Sequence, residues 1–243
     1  MNLPFSSEAA PATFLIGGAG AGKTELALNL SVFKASRYGG SALIDLDIVN
    51  PFFRVRKLRE EVEALGVKVI CPGDRVVYGD MPALPPAAWG ALEAPWQAVV
   101  CDIGGGEPGL RPLGRMKDIA ATRGANVFFV INPFRPGFTS PKELAENFRH
   151  MCGLSAMQVT HLVANPNLSG ETSVELFREG LAMVQDFAGK TGLPLAFAVV
   201  ASELAGKLGV AVEGLPGFYS SGDLDIFVLE RYWSVPWHFG VVR

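Results

Sequence analysis

The residues Gly17-Gly18-Ala19-Gly20-Ala21-Gly22-Lys23-Thr24 stand directly after the apolar run Thr13–Ile16. They fit G-x-x-x-x-G-K-[ST], and their surroundings give the pattern meaning: strand character before it and a helical pattern after it. Gly17, Gly18, Gly20 and Gly22 free the backbone to curl, so that successive N–H groups turn inward toward phosphate oxygens. Lys23 adds positive charge for the β- and γ-phosphates, and the Thr24 hydroxyl is a ligand for Mg²⁺. The N-terminal end of the next helix adds partial positive charge at the same place. The expected nucleotide contacts are therefore Gly18, Gly20, Ala21, Gly22, Lys23, Thr24 and Glu25. A Gly/Ala turn that merely precedes Lys-Thr is the bland alternative, and the flanking pattern speaks against it.

Outward from that loop, the chain alternates short apolar runs with helical periodicity. The helix after the loop carries Leu26, Leu30 and Phe33 on one stripe and stops near Gly39-Gly40. Strands are expected at Ser41–Asp45, Val67–Cys71, Ala98–Asp102, Val127–Ile131, Val159–Ala164 and Leu195–Val200. Helices are expected around Val55–Leu65 with Gly66 as stop signal, at Pro141–Cys152 and at Thr172–Ala188. The stretch 72–97, rich in Pro, Gly and Ala, reads as irregular, with Trp89 and Trp96 packing it onto the core. Continuous apolar strands, each followed by a polar loop, require a sheet covered on both faces. The expectation is a three-layer α/β/α sandwich around a mostly parallel sheet of seven to eight strands, one P-loop domain over 1–243. The aromatic end, Asp223–Arg243, reads as a closing strand or helix packed on that core, with an exposed partner-binding tail as the alternative.

Composition narrows the function classes. At 243 residues, 49% hydrophobic and 19% charged, the chain has material for a large core and does not read as disordered. A net charge of −3 without a dense Lys/Arg run argues against non-specific nucleic-acid binding. No stretch approaches the ~18 apolar residues of a membrane span, and the N-terminus lacks signal-peptide layout. Cys71, Cys101 and Cys152 are odd in number and far apart, so they read as reduced thiols in a cytoplasmic protein.

In a parallel sheet, ligands sit at the carboxyl ends of the strands. Here those ends carry Asp45 to Asn50, Asp102 to Gly106, Asn132 and Asn165. Asp102 closes an apolar strand, where a carboxylate holds Mg²⁺ opposite Thr24. Gly105 completes D-x-x-G, letting a backbone N–H approach the γ-phosphate and the loop rearrange when it leaves. Asp45 and Asp47 face the site opening, one to position the attacking water and the other to support the metal. Asn50 reads as a helix cap before Pro51, and Arg54 and Arg56 as charge stabilisers, partner contacts or solvated side chains. Asn165 stands where an amide can pair with the adenine edge. The sequence Asn165-Pro166-Asn167-Leu168 lacks the N-K-x-D that reads guanine, which favours ATP over GTP.

Taken together, these motifs resemble the MinD/ParA-type ATPases of the SIMIBI class of P-loop proteins. The likeness rests on G-G-A-G-A-G-K-T, D-L-D-I-V-N at Asp45–Asn50, D-I-G-G at Asp102–Gly105, and Asn165, and covers roughly residues 13–205. Nearest is an uncharacterised bacterial ATP-binding subgroup with D-x-D-I-V-N-P-x-F-R and D-x-G-G stretches. The resemblance implies Mg-ATP binding with slow hydrolysis linked to a homodimer. It also implies Asp47 as water-positioning acid, Lys23 and Thr24 on phosphate and metal, and Asn165 on adenine. The chain departs from the group at Gly18, where members that reach across the dimer carry a second lysine.

The leading expectation is an Mg²⁺-dependent ATPase acting as a nucleotide switch on a protein or small-molecule partner, without stable membrane insertion. Alternatives are an ATP-dependent ligase or kinase like the cobyrinic acid and dethiobiotin synthases, a metallochaperone NTPase, and a non-catalytic ATP-binding module. The metallochaperone reading is weakened because His150, His161 and His238 form no cluster.

Overall fold

The computed structural model describes residues 12–47, 58–71, 86–94 and 98–232. The expectations placed on Asn50, Pro51, Arg54, Val55, Arg56, Trp96 and the aromatic residues after Tyr232 lie outside the described residues.

Among the described residues, nine strands form one sheet. They are β1 (Ala12–Ile16), β2 (Ser41–Leu46), β3 (Val67–Ile70), β4 (Ala98–Ile103), β5 (Asn126–Ile131), β6 (His161–Ala164), β7 (Leu195–Ala201), β8 (Gly217–Ser221) and β9 (Leu224–Leu229). Their spatial order is β3-β2-β4-β1-β5-β6-β7-β9-β8, parallel throughout except for the antiparallel β8–β9 hairpin at one edge. The strand that feeds the glycine loop, β1, thus lies between β4 and β5, with Leu15 in register with Asp102.

The strands are apolar on both faces, and neighbouring residues along them join opposite cores. Phe14, Ile16, Phe129 and Ile131 pack on one side, whereas Leu15, Phe128 and Val130 pack on the other. Helix α6 (Pro141–Ser155) and helix α7 (Val174–Thr191) cover the first side with Leu144, Met151, Phe177 and Val184. Helix α1 (Lys23–Tyr38) covers the second with Leu26, Leu28 and Leu30. This is the three-layer arrangement that two-sided burial of a parallel sheet demands.

Local signals set the helix ends. Ser140 and Ser173 cap α6 and α7 by accepting hydrogen bonds from Glu143 N and Leu176 N. Gly39 and Gly192 close α1 and α7 in the left-handed conformation, as the sequence predicts for Gly39.

Two expectations are corrected. Among the described residues the sheet has nine strands rather than seven or eight, because the closing segment supplies β9 and the residues just before it supply a short partner, β8. Residues 86–93, read as irregular, form helix α3 (Pro86–Glu93), whose Ala88, Ala91 and Leu92 are buried at helical spacing. The segment after β4 is also helical: α4 (Glu107–Leu110), a 3₁₀ turn over Arg111–Met116, and α5 (Lys117–Thr122). Two further short helices are α2 (Arg59–Ala64) before β3 and α8 (Ser202–Ala205) after β7. Trp89 packs partly buried against the core as expected.

Candidate nucleotide-binding site

Between β1 and α1 the chain turns through two left-handed glycines, Gly20 (φ 73°) and Gly22 (φ 87°). Gly22 is the residue that opens α1, and among the described residues no side chain caps the helix there. The first-turn N–H groups of α1 are thus left for a ligand at the positive end of the helix. Close approach also demands glycine elsewhere in the loop: a Cβ at Gly17 would meet Val130 O at 2.4 Å.

Lys23 is the centre of the site. It is 6% exposed, and its Nζ donates to Gly17 O and Gly18 O, both at 2.8 Å. Burial pulls its pKa down to about 8, although Asp102 and then Asp47 favour the charged form. A buried cation ringed by its own loop carbonyls is what an incoming phosphate would replace as partner.

The expected carboxylates converge here. Asp45 and Asp102 are register partners on β2 and β4, and both are buried. Asp45 Oδ1 accepts a hydrogen bond from Asp47 N at 3.0 Å. Asp47 in turn lies on the Asp102–Gly106 loop, since a Cβ at Gly104 would come within 2.7 Å of its Oδ1. The next glycine touches the phosphate loop itself: a Cβ at Gly105 would lie 2.8 Å from Ala19 N and 2.9 Å from Lys23 Nζ. Thr24, half-buried in the first turn of α1, completes the donor set. One hydroxyl and buried carboxylates facing a phosphate cradle suit Mg²⁺, which takes few protein ligands and keeps waters and phosphate oxygens.

Two residues sit differently from their expected roles. Asn165, at the end of β6, is 3% exposed and lies under the loop, where its Nδ2 donates to Ala21 O at 2.7 Å. Its amide also fills the space beside Gly22, so a Cβ there would come within 2.2 Å of Nδ2. Glu25 turns its carboxylate away from the cradle to accept from Tyr232 N at 3.0 Å. With Asn29, which exchanges hydrogen bonds with the backbone of Glu230, it ties the end of β9 to α1.

Sequence reasoning missed the loop between β5 and α6. Phe138 is buried with its ring against Gly18, where a Cβ would meet Cε2 at 2.3 Å. No side chain fits at position 18 while that ring is there. Arg135 lies over Gly20 and donates from Nε to Gly20 O at 3.2 Å. The signal available was Asn132-Pro133-Phe134-Arg135-Pro136-Gly137, a lone cation between prolines at the same edge of the sheet.

Beside Asn165, a cavity of about 120 Å³ opens between the carboxyl ends of β6 and β7. Pro166, Asn167, Thr172, Ala201, Glu203 and Lys207 line it. Among the described residues none of the three cysteines forms a disulfide, and burial raises the pKa of Cys101 and of Cys152, the latter to about 11. Among the described residues, no helix is long and apolar enough to cross a membrane.

No protein-family model matches the chain, and no curated protein does. Solved structures do share its fold. The cell division protein ftsY of Thermotoga maritima is 19% identical, with a TM-score of 0.53 over 82% of this chain and 66% of its own. Chloroplast FtsY of Physcomitrella patens is also 19% identical, with a TM-score of 0.54 over 82% and 61%. FlhF, solved with GTP/Mg²⁺, is 14% identical, with a TM-score of 0.53 over 89% of this chain and 71% of its own. The chain is similar to these in fold, a mostly parallel sheet covered by helices. It spans about two thirds or less of the length of the two FtsY structures.

Proposed function

We propose that this protein is an Mg²⁺-dependent nucleoside triphosphate switch that hydrolyses its nucleotide slowly. The observation that carries this reading is Lys23: a buried cation at an uncapped helix start, faced by Asp102 and Asp47 and touched by the Gly105 loop. Phosphate oxygens would take over the bonds that Gly17 O and Gly18 O now accept, and the first-turn N–H groups of α1 would donate to them. Thr24 and Asp102 would hold Mg²⁺, with Asp47 supporting its water shell. The metal would supply charge neutralisation on the phosphates. Asp45, bonded to Asp47 N, fixes that second carboxylate in place.

The switch element is the Asp102–Gly106 loop. Gly105 packs on Ala19 N and Lys23 Nζ, so a γ-phosphate arriving between them must be accommodated by that loop. The following helix α4 would move with it, because Gly106 O accepts from Gly109 N and Leu110 N. The partner that reads the movement is a protein or a small molecule, and a nucleotide-dependent homodimer remains part of the proposal.

For the base, ATP is favoured by the absence of N-K-x-D. We place the base in the cavity bounded by Asn167 and Thr172, and assign Asn165 to holding the loop beneath it. GTP is the second reading, favoured by the GTP/Mg²⁺ bound to FlhF and by Glu203 in the same cavity, whose carboxylate suits the N1 and N2 donors of guanine. Titration of the purified chain with fluorescent ATP and GTP analogues, with and without Mg²⁺, tests both, alongside phosphate release. Tight binding of one nucleotide that Lys23→Ala abolishes is the expected result. Equal, Lys23-independent binding of both, or of neither, would refute the proposal.

A further inference from the structure

We infer that Arg135 is a phosphate-neutralising residue that the β5–α6 loop supplies to the site within the same chain. The inference rests on the nucleotide-switch reading and adds to it a residue that touches the terminal phosphate.

The arginine is seated rather than free. Its Nε donates to Gly20 O at 3.2 Å, and its Cδ and Cγ lie 3.3 and 3.7 Å from where a Cβ on Gly20 would be. Glycine at position 20 therefore does two things: it takes the left-handed turn, and it makes room for the arginine stem. Pro133 and Pro136 restrict the backbone on either side of Phe134-Arg135. Turn bonds run from Arg135 N to Asn132 O (3.2 Å) and from Phe138 N to Arg135 O (3.0 Å).

The loop is also fastened at both ends. Asn132 accepts from Phe134 N through Oδ1 and donates through Nδ2 to Asn167 O at 2.8 Å. At the far end Asn147 donates to Gly137 O at 2.7 Å, and the buried Phe138 ring sits on Gly18. The loop thus clamps the phosphate cradle at two of its glycines and carries one cation there.

That cation has donors to spare. Nε holds the loop carbonyl, and among the described residues no hydrogen bond or ion pair engages the two terminal nitrogens. A guanidinium fixed through one nitrogen and open through the others is built for bidentate contact with a phosphate. None of the three site carboxylates forms an ion pair with it among the described residues, so its charge is available to a ligand.

In hydrolysis, the oxygen of water bonds to the terminal phosphorus as the bond from that phosphorus to the bridging oxygen breaks. The electron pair leaves on the nucleoside diphosphate, and the proton of water passes to the released phosphate. Negative charge grows on the bridging and terminal oxygens during this exchange, and Arg135 neutralises it.

The test compares wild type with Arg135→Ala and Arg135→Lys in the full chain. It reads diphosphate affinity, formation of the Mg²⁺–diphosphate–aluminium fluoride complex, and kcat against KM. Arg135→Ala is expected to leave diphosphate affinity within about threefold, lose the aluminium fluoride complex, and lower kcat at least tenfold, as loss of a charge stabiliser does. Arg135→Lys should recover part of kcat. Mixing Arg135→Ala with Lys23→Ala should restore nothing, since both residues serve the same chain. A purely structural role would instead weaken diphosphate binding as much as it lowers kcat, and that result overturns the inference. So does recovery on mixing, or a wild type that binds nucleotide but shows neither turnover nor the aluminium fluoride complex. A wild type that binds no nucleotide sinks the switch reading and this inference together.

Discussion

Replacing Gly105 by alanine puts one methyl group between the two loops that would have to move against each other. Gly105 is not among the glycines held at positive φ, so alanine is compatible with its backbone and any effect comes from space. The new Cβ would fall 2.7 Å from Ala19 Cα, 2.8 Å from Ala19 N and 2.9 Å from Lys23 Nζ. Ordinary carbon contacts begin near 3.5 Å, so one loop must retreat by roughly 0.7 Å. Overpacking of this size costs about 1–3 kcal/mol. The lysine end can swing away, but Ala19 is backbone of the phosphate loop. If the strain is carried by that loop, triphosphate affinity should fall by a factor of about 5 to 150, the same energy expressed as a binding constant. Titration with a fluorescent triphosphate analogue reads this, and a thermal melt shows whether the fold has yielded instead. Diphosphate affinity should fall less, because Gly105 is assigned to the γ-phosphate side. Unchanged triphosphate affinity with an unchanged melt would mean that the Asp102–Gly106 loop gives way without resistance. The contact with Ala19 would then have no part in binding.

Other outcomes follow from the same geometry. Asn165→Ala removes the 2.7 Å bond to Ala21 O and should cost about 1–2 kcal/mol of stability by denaturant unfolding. It should weaken ATP and GTP analogues equally; a loss confined to ATP would return Asn165 to the adenine edge. Lys34, buried and donating to Thr13 Oγ1, has its pKa lowered from 10.5 to about 8 by burial. The unfolded chain holds that proton between those values and the folded chain does not, so this group makes stability rise with pH across the window. Urea unfolding of wild type against Lys34→Met should therefore diverge by on the order of 1 kcal/mol per pH unit there, and parallel curves would count against the lowered pKa. Gly153 in α6 and Gly189 in α7 have open space where a Cβ would stand. Alanine at each should raise stability by about 0.5–1 kcal/mol without altering nucleotide binding, whereas a loss of stability would reveal an unseen contact.

Much of the arrangement is legible because its determinants are local in sequence. A run such as Ala98–Ile103, apolar at every position until Asp102, has no reading except a strand buried on both faces with a polar end. Seven such runs place seven strand ends at one edge, and the phosphate cradle, Asp45, Asp47 and Asp102 come together there as expected. What escaped was set by neighbours rather than by pattern. Gly217–Ser221 has too few apolar residues to read as a strand, and it exists because β9 offers it an antiparallel edge. Asn165 sits at the predicted strand end, but Ala21 O, 144 residues away, decides which way its amide turns. Arg135 is the sharpest case. Nothing in Pro133-Phe134-Arg135-Pro136 marks the arginine off from a solvated loop residue, and only the placement of β5 beside β1 brings it onto Gly20. The glycine at position 18 has the same explanation: it reads as an absence in the sequence, and the Phe138 ring from that loop is what occupies the space. The β5–α6 loop therefore explains both a residue the phosphate loop lacks and the cation set beside it, because the two loops pack as one unit.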